Sequence, residues 1–489
     1  GGATSRGRRT VVQSGLLSTR SQSSLGCVSF TRIVLISLLV KALWGPGEMS
    51  DDLGELLGPV AAALRLLGLQ APSTSWSLTW RALLLLVVNA SVPAMAASKL
   101  WVAPAAKLEE LAVEVFVCVT GVAMTVKVAA FLWQQEQTQR LAVLLADCRR
   151  RFVCSGGGPG DTRARYRRHI RRIVVYMQVM VVVPTTLWLL DPLVGAGSSA
   201  GRLPMPMWVP PGLRSSPGHQ ILYAFQALAM ITVVEASLYL DVCFVVLMLS
   251  VSAELHVLND AVASIKAPAV LRPALYSASY RVTNVINGSW LRCGLSSPRG
   301  AIAYNGHQST EQRTESSAII TDDANGIGTE MYRVLVKSIK HHQAIIRCVE
   351  ELESVMSQSV FVLLFLNMMN ICVHIFVTSV LLQKDVERTT MSKMLCTLPI
   401  YMYETGLYCI FGQTIIDQGE QLTASAFSGD WPEGDARMRK ALLVLMLRSS
   451  KPLKLTVGKL YVLSRHTFLQ ILNGSYTLFN MLYQVQTKK

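Results

Sequence analysis

The stretch ILYAFQALAMITVVEASLYLDVCFVVLML, residues Ile221–Leu249, runs for 29 residues with only two charged side chains, Glu235 and Asp241. A helix of about 20 such residues crosses a bilayer, so this stretch reads as a transmembrane span. Val360–Leu382 reads in the same way. Working outward with a window of about 19 residues, apolar segments recur near 82–97, 112–133, 173–190, 221–249, 358–382, 394–416 and 463–486. The expected fold class is therefore all-α, a polytopic membrane protein of seven transmembrane helices. The last segment contains Asn473, Ser475, Asn480 and Gln484, so one of its faces is expected to meet water.

Composition agrees. The 489 residues are 51% hydrophobic and 16% charged, and mean hydropathy is +0.37. A soluble domain carries roughly a quarter charged residues, which argues against a soluble enzyme and against disorder. The net charge of +15 sits in blocks between apolar runs; membrane topology explains that placement better than nucleic-acid binding, and no nucleic-acid partner is expected. Ten cysteines form no C-x-x-C pair, so neither a disulfide framework nor a zinc motif is implied, and no cofactor is expected.

Loop charge sets the expected orientation. Loops after the second, fourth and sixth spans carry 27 Lys and Arg against seven on the other side. Cytoplasmic loops retain positive charge, which places the N-terminus inside and the C-terminus outside. A G-protein-coupled receptor has the opposite orientation, and its Asp-Arg-Tyr and Asn-Pro-x-x-Tyr motifs are absent. A transporter would show a repeat with broken helices, and none is visible. No nucleophile, base and orienting group form an enzyme motif.

Between the spans, residues 1–48 hold six basic residues against Glu48 and no methionine. Their apolar stretch lacks a small-residue cleavage site, and Met49 is the expected start, with 1–48 as upstream-translated sequence. Residues 49–81 are expected to form a cytoplasmic segment, and 82–289 the first four spans. The Gly- and Pro-rich loop Asp191–Gln220 is expected to cap the bundle irregularly, as a solvated connector or a ligand gate. Cys154–Gly160 lacks the Lys-Ser/Thr of a phosphate loop and reads as a linker. Residues 290–329 turn polar without an apolar period and read as a disordered insertion. In 330–457, Met331–Met356 returns to helical spacing and runs into the fifth span; the sixth span follows, then a short inner helix at Arg437–Arg448. The seventh span occupies 458–489.

Several blocks from Tyr401 onward are distinctive: Phe411-Gly-Gln-Thr414, Ala426-Phe-Ser-Gly-Asp-Trp431, Leu445-Met-Leu-Arg-Ser-Ser-Lys-Pro-Leu-Lys-Leu-Thr456 and Phe468-Leu-Gln-Ile-Leu-Asn-Gly-Ser-Tyr-Thr-Leu-Phe479. In this order they resemble the insect odorant receptors. Before Tyr401 the resemblance rests on architecture and on His341-His-Gln-Ala-Ile-Ile-Arg-Cys-Val-Glu350. The related gustatory receptors keep aromatic residues where Leu478 and Val485 stand here, and the segment after Gly474 differs from the family's shared co-receptor. The resemblance implies a ligand-binding subunit of a tetrameric, odorant-gated, nonselective cation channel. Its implied partners are the odorant co-receptor subunit, a small volatile hydrophobic ligand and the plasma-membrane bilayer of an olfactory neuron.

Two sets of site residues follow. Gln470, Asn473, Thr477, Asn480 and Gln484 recur at intervals of three and four, on one helix face. They are expected to line a pore, or alternatively to hydrogen-bond between helices. The resemblance adds Tyr476, near the family's outer gate. It also implies an apolar pocket among the second, third, fourth and sixth helices, for which Tyr176, Met180, Trp188, Met230, Tyr401, Tyr403 and Tyr408 have suitable chemistry; each is equally compatible with plain packing. Glu235, Asp241 and Glu404 lie within spans and need partners, and Lys127 is available to pair with one. His341 and His342 point apart on a helix and are not expected to share a metal.

Overall fold

The computed structural model describes residues 56–69, 80–106, 108–152, 159–194, 203–213, 215, 217–265, 310–383, 388–429 and 431–487. The expected tail 1–48, most of the glycine-rich linker and residues 290–309 lie outside them. Among the described residues the chain is helical except for one small hairpin. The helices are α1 (Pro59–Leu66), α2 (Trp80–Val102), α3 (Leu108–Trp133), α4 (Gln135–Arg151), α5 (Pro159–Val194), α6 (Gly218–Ala263), α7 (Thr310–Leu382), α8 (Arg388–Phe427), α9 (Ala436–Ser449) and α10 (Arg465–Thr487). Strands β1 (Thr456–Val457) and β2 (Tyr461–Val462) pair antiparallel between α9 and α10.

Five of these helices are long and apolar enough to cross a membrane, over Trp80–Val102, Glu110–Trp133, Thr162–Pro192, Gly218–Ala263 and Gly328–Leu382. The sixth and seventh expected spans fall on α8 and α10, helices of 40 and 23 residues that are not among those five. Helix α7, with 73 residues, is about 110 Å long, far more than the roughly 30 Å of a bilayer core. Its first half therefore stands outside the membrane, packed with α4, α9 and the end of α6. The helix begins at Thr310, inside the stretch expected to be disordered, so the helical register extends about twenty residues further than its apolar pattern.

Helix α6 is the axis of the bundle. From Ala236 to Leu255 every residue is buried, and α2, α3, α5, α7 and α8 surround it. A helix that is apolar on all sides must be covered by lipid or by protein, and over Ala236–Leu255 the neighbouring helices supply the cover. Of the apolar residues at helical spacing in Met331–Met356, Ile345, Val349 and Leu352 are buried and Ile339 and Ile346 partly so, whereas Val334 faces outward.

Two local devices hold the helix bundle together. Pro93 has no N–H to give the Asn89 carbonyl, and Thr125 of α3 donates its hydroxyl to that oxygen at 3.1 Å. Opposite Pro93 stands Gly121, where a Cβ would lie 3.0 Å from the proline ring, so the two helices approach closely. Asn89 itself is fully buried, consistent with an unused glycosylation sequon. At the other end, the hairpin turns at Gly458 and Lys459, both with positive φ. The Gly458 N–H donates to the Ser357 carbonyl at 2.9 Å, fixing the start of α10 against α7.

Candidate functional site

A cavity of about 160 Å³ lies among α3, α5, α6 and α8, touched by α2 at Val92. An apolar cavity of ~150 Å³ holds a benzene-sized molecule. Met180, Trp188, Met230, Tyr401 and Tyr403 line it, five of the seven residues named from sequence, contributed by three different helices. Tyr176 stands just outside, its ring edge-on to Tyr403 with centroids 5.0 Å apart. Tyr408 is in neither place. It is fully buried below the cavity, where its hydroxyl donates to Asp241 Oδ1 at 2.7 Å.

Each wall follows from local sequence. In α3, Phe116, Thr120 and Met124 fall at fourth-residue spacing and share a face; in α5, Met177, Val181, Pro184 and Trp188 do the same. Polar atoms are few and already engaged. Thr120 Oγ1 and the Tyr401 hydroxyl are 3.2 Å apart, and Trp188 Nε1 donates to Thr397 Oγ1 at 3.4 Å. Lys393 lies 4.9 Å from the centre of the Trp188 ring and pairs with Asp191 at 2.7 Å, anchoring that aromatic wall from the outside.

The floor is ionic. Lys127 of α3 pairs with Asp241 of α6 at 2.5 Å and Glu404 of α8 at 2.8 Å, and donates to Ser237 at 2.9 Å. One ammonium thus holds both carboxylates, where the sequence reading offered it only one. Unpaired charges there would be costly in a low-dielectric bundle. Glu235 instead accepts from Gln178 Nε2 at 2.8 Å.

Sequence reasoning missed Met205. It belongs to the loop after α5, yet it is buried and lines the cavity. Gln226 of α6 holds it there: the Met205 N–H donates to Gln226 Oε1 at 3.1 Å, and Gln226 Nε2 donates back to the Met205 carbonyl at 3.4 Å. A polar Gln226 within an apolar span was the available signal. The described part of the loop is therefore pinned over the cavity mouth.

A second, more open groove of about 490 Å³ lies behind Tyr403 and Met180, which belong to both spaces. Tyr176, Gly406 and Ile410 continue it, and Phe468 of α10 closes it. Among the described residues, helix α10 packs chiefly on α7 and α8. Ser475 donates to the Met368 carbonyl of α7 at 3.2 Å, while Gln470, Asn473, Tyr476, Thr477 and Gln484 lie exposed on the opposite side and Asn480 is half-buried.

The fold and cavity define a polytopic, all-α membrane protein with an enclosed apolar chamber in its helix bundle. The chain belongs to the 7tm odorant receptor family, whose pattern matches residues 107–476. It is 27% identical to odorant receptor 10 of Aedes albopictus over 153 residues, which is 31% of this chain and 39% of that protein. It is 28% identical to odorant receptor 19a of Drosophila melanogaster over 156 residues, or 32% and 40% of the two chains. These alignments span about two fifths of the curated relatives' length. Its fold is similar to that of the olfactory receptor OR5 from Machilis hrabei in complex with eugenol, with TM-score 0.64 and 15% identity, covering 89% of this chain and all of that one.

Proposed function

We propose that the chain is the ligand-binding subunit of a heteromeric, odorant-gated, nonselective cation channel in the plasma membrane of olfactory neurons, assembled with the co-receptor subunit. The polar stripe of α10 carries the reading. Its Gln470 and Asn473 amides face away from the chain's own bundle, and contact with lipid would leave them unsatisfied. Facing a water-filled axis shared with other subunits, they are hydrated. Tyr476 stands on the same exposed side as a bulky constriction.

The other parts fit around that axis. A small, volatile, hydrophobic ligand suits a chamber walled by methionine and aromatic side chains, and shape differences among them set selectivity. Tyr403 and Phe468 connect the chamber, through the open groove, to the base of α10. Outside the membrane, α9 leaves Leu443, Val444 and Leu447 exposed, an apolar surface suited to the matching region of a neighbouring subunit. The loop charges support a cytoplasmic N-terminus and put this layer inside the cell.

Whole-cell recording tests the reading. Cells expressing the chain with the co-receptor are exposed to an odorant panel while G-protein signalling is blocked. A rapid cation current that requires both subunits is the expected result. A response abolished by the block would overturn the channel in favour of a metabotropic receptor.

A further inference from the structure

Three buried groups meet where α4, α6 and α7 cross, outside the ligand chamber. Cys148 Sγ, a Glu254 carboxylate oxygen and a His341 ring nitrogen all lie within 4.8 Å of one another. Glu254 and His341 are at most 3% exposed, and Cys148 2%. His341 Nε2 sits 3.4 Å from Glu254 Oε2, within ion-pair reach. Phe152 stacks flat on the imidazole at 4.5 Å, which holds the ring in this orientation. Cys348 is seven residues along α7 from His341, on the same face, fully buried and close enough to Cys148 for the two thiols to influence each other.

We propose that Cys148, Glu254 and His341, with Cys348 as fourth ligand, form a zinc site that clamps the three helices together. Sulfur, nitrogen and carboxylate oxygen are the donors of tetrahedral zinc, and bonds of about 2.0–2.3 Å give ligand-to-ligand edges of roughly 3.3–3.8 Å. The His341–Glu254 edge already has that length, and the widest separation closes by about 1 Å.

The charges balance as well. Arg149 Nε donates to Glu254 Oε1 at 3.1 Å and Arg163 Nη2 to Oε2 at 2.7 Å. Without metal the cluster holds two guanidinium groups, one carboxylate and two neutral thiols. Zinc binding releases one proton from each thiol to solvent, together with any proton that His341 holds beside Glu254, so the added 2+ is matched by two thiolates and a neutral imidazole. The two arginines remain as partners that orient the carboxylate.

The test uses the full chain, purified in detergent without chelator. Zinc is counted by mass spectrometry, and the stripped protein is then titrated with Co²⁺, whose bond to thiolate gives a near-ultraviolet charge-transfer band. About one zinc per chain is expected, with the cobalt band present in the wild type and in Cys243→Ala, a buried cysteine elsewhere on α6. Cys148→Ser and His341→Gln should each weaken binding about tenfold or more. Absence of the cobalt band in folded wild-type protein overturns the site, whatever the variants do. A band or zinc content unchanged in Cys148→Ser also overturns it, because the ion then lies elsewhere.

Discussion

Helix α6 and helix α10 are both long enough to span a bilayer, yet they meet opposite surroundings. The middle of α6 is buried on every side, whereas α10 rests one side on α7 and α8 and leaves the other open. In α6 the rare polar groups are paired inward: Asp241 accepts from Tyr408 and pairs with Lys127. In α10 Ser475 is paired inward, to the Met368 carbonyl of α7, while Gln470, Asn473 and Thr477 stand outward. The difference teaches that a polar residue in a membrane helix is structural where the fold supplies its partner and is available for function where it does not.

The comparison breaks most severely at Lys127. Lys127→Met leaves Asp241 and Glu404 facing each other uncompensated, and losing one partner of a buried ionic cluster costs about 3–5 kcal/mol. Loss of correctly folded protein is expected, read by size-exclusion profile and thermal unfolding in detergent. Combining it with Asp241→Asn and Glu404→Gln should restore part of that stability, since no buried charge then remains.

A smaller effect is expected at the junction of α8 with α10. A Cβ on Gly412 would lie 2.5 Å from Leu463 Cβ and 2.6 Å from its carbonyl oxygen, and backbone yields less readily than a flexible side chain. Gly412→Ala should destabilise the chain by about 1–3 kcal/mol. Thermal unfolding would measure the shift, and co-receptor-dependent current would report whether displaced α10 still gates.

In the chamber the effect moves from folding to ligand preference. Met230→Ala enlarges the wall by about three heavy atoms, and one methylene in an apolar pocket is worth roughly 10–200-fold in discrimination. Potency should shift toward bulkier odorants by about tenfold or more in dose–response recordings. Met205→Ala should act alike if the loop forms part of the chamber; unchanged potency at Met205 would remove the loop from it.

Along α10 the expected stability change is smallest. Asn473→Leu lies on the exposed face, where substitutions usually fall within about 0.5 kcal/mol, yet single-channel conductance should change. The mirror substitution Leu469→Asn, on the same exposed side, should also leave folding intact. Conductance unaffected by Asn473→Leu, with channels still opening, would return the polar stripe to a contact between subunits.

What was legible in the sequence was whatever has a period or a run. The continuous apolar stretch Ile221–Leu249 dictates a membrane span, the spacing of Gln470, Asn473, Thr477 and Gln484 dictates a shared face, and the four C-terminal blocks carry the family. Five pocket residues could be named because methionine and aromatic chemistry in a span is visible one residue at a time. Tyr408 could not be told from them, since whether a tyrosine lines a chamber or bonds a carboxylate beneath it depends on α6, far away in the chain.

Long-range meetings belong to tertiary structure alone. Lys127, Asp241 and Glu404 come from three helices, as do Cys148, Glu254 and His341, and no local spacing encodes either cluster. The sequence by itself determined that these helices form and which faces must leave water, because periodicity and hydrophobicity act within one helix. Only the packed bundle decided which buried polar groups meet, because that depends on the rotation and depth of each helix against its neighbours.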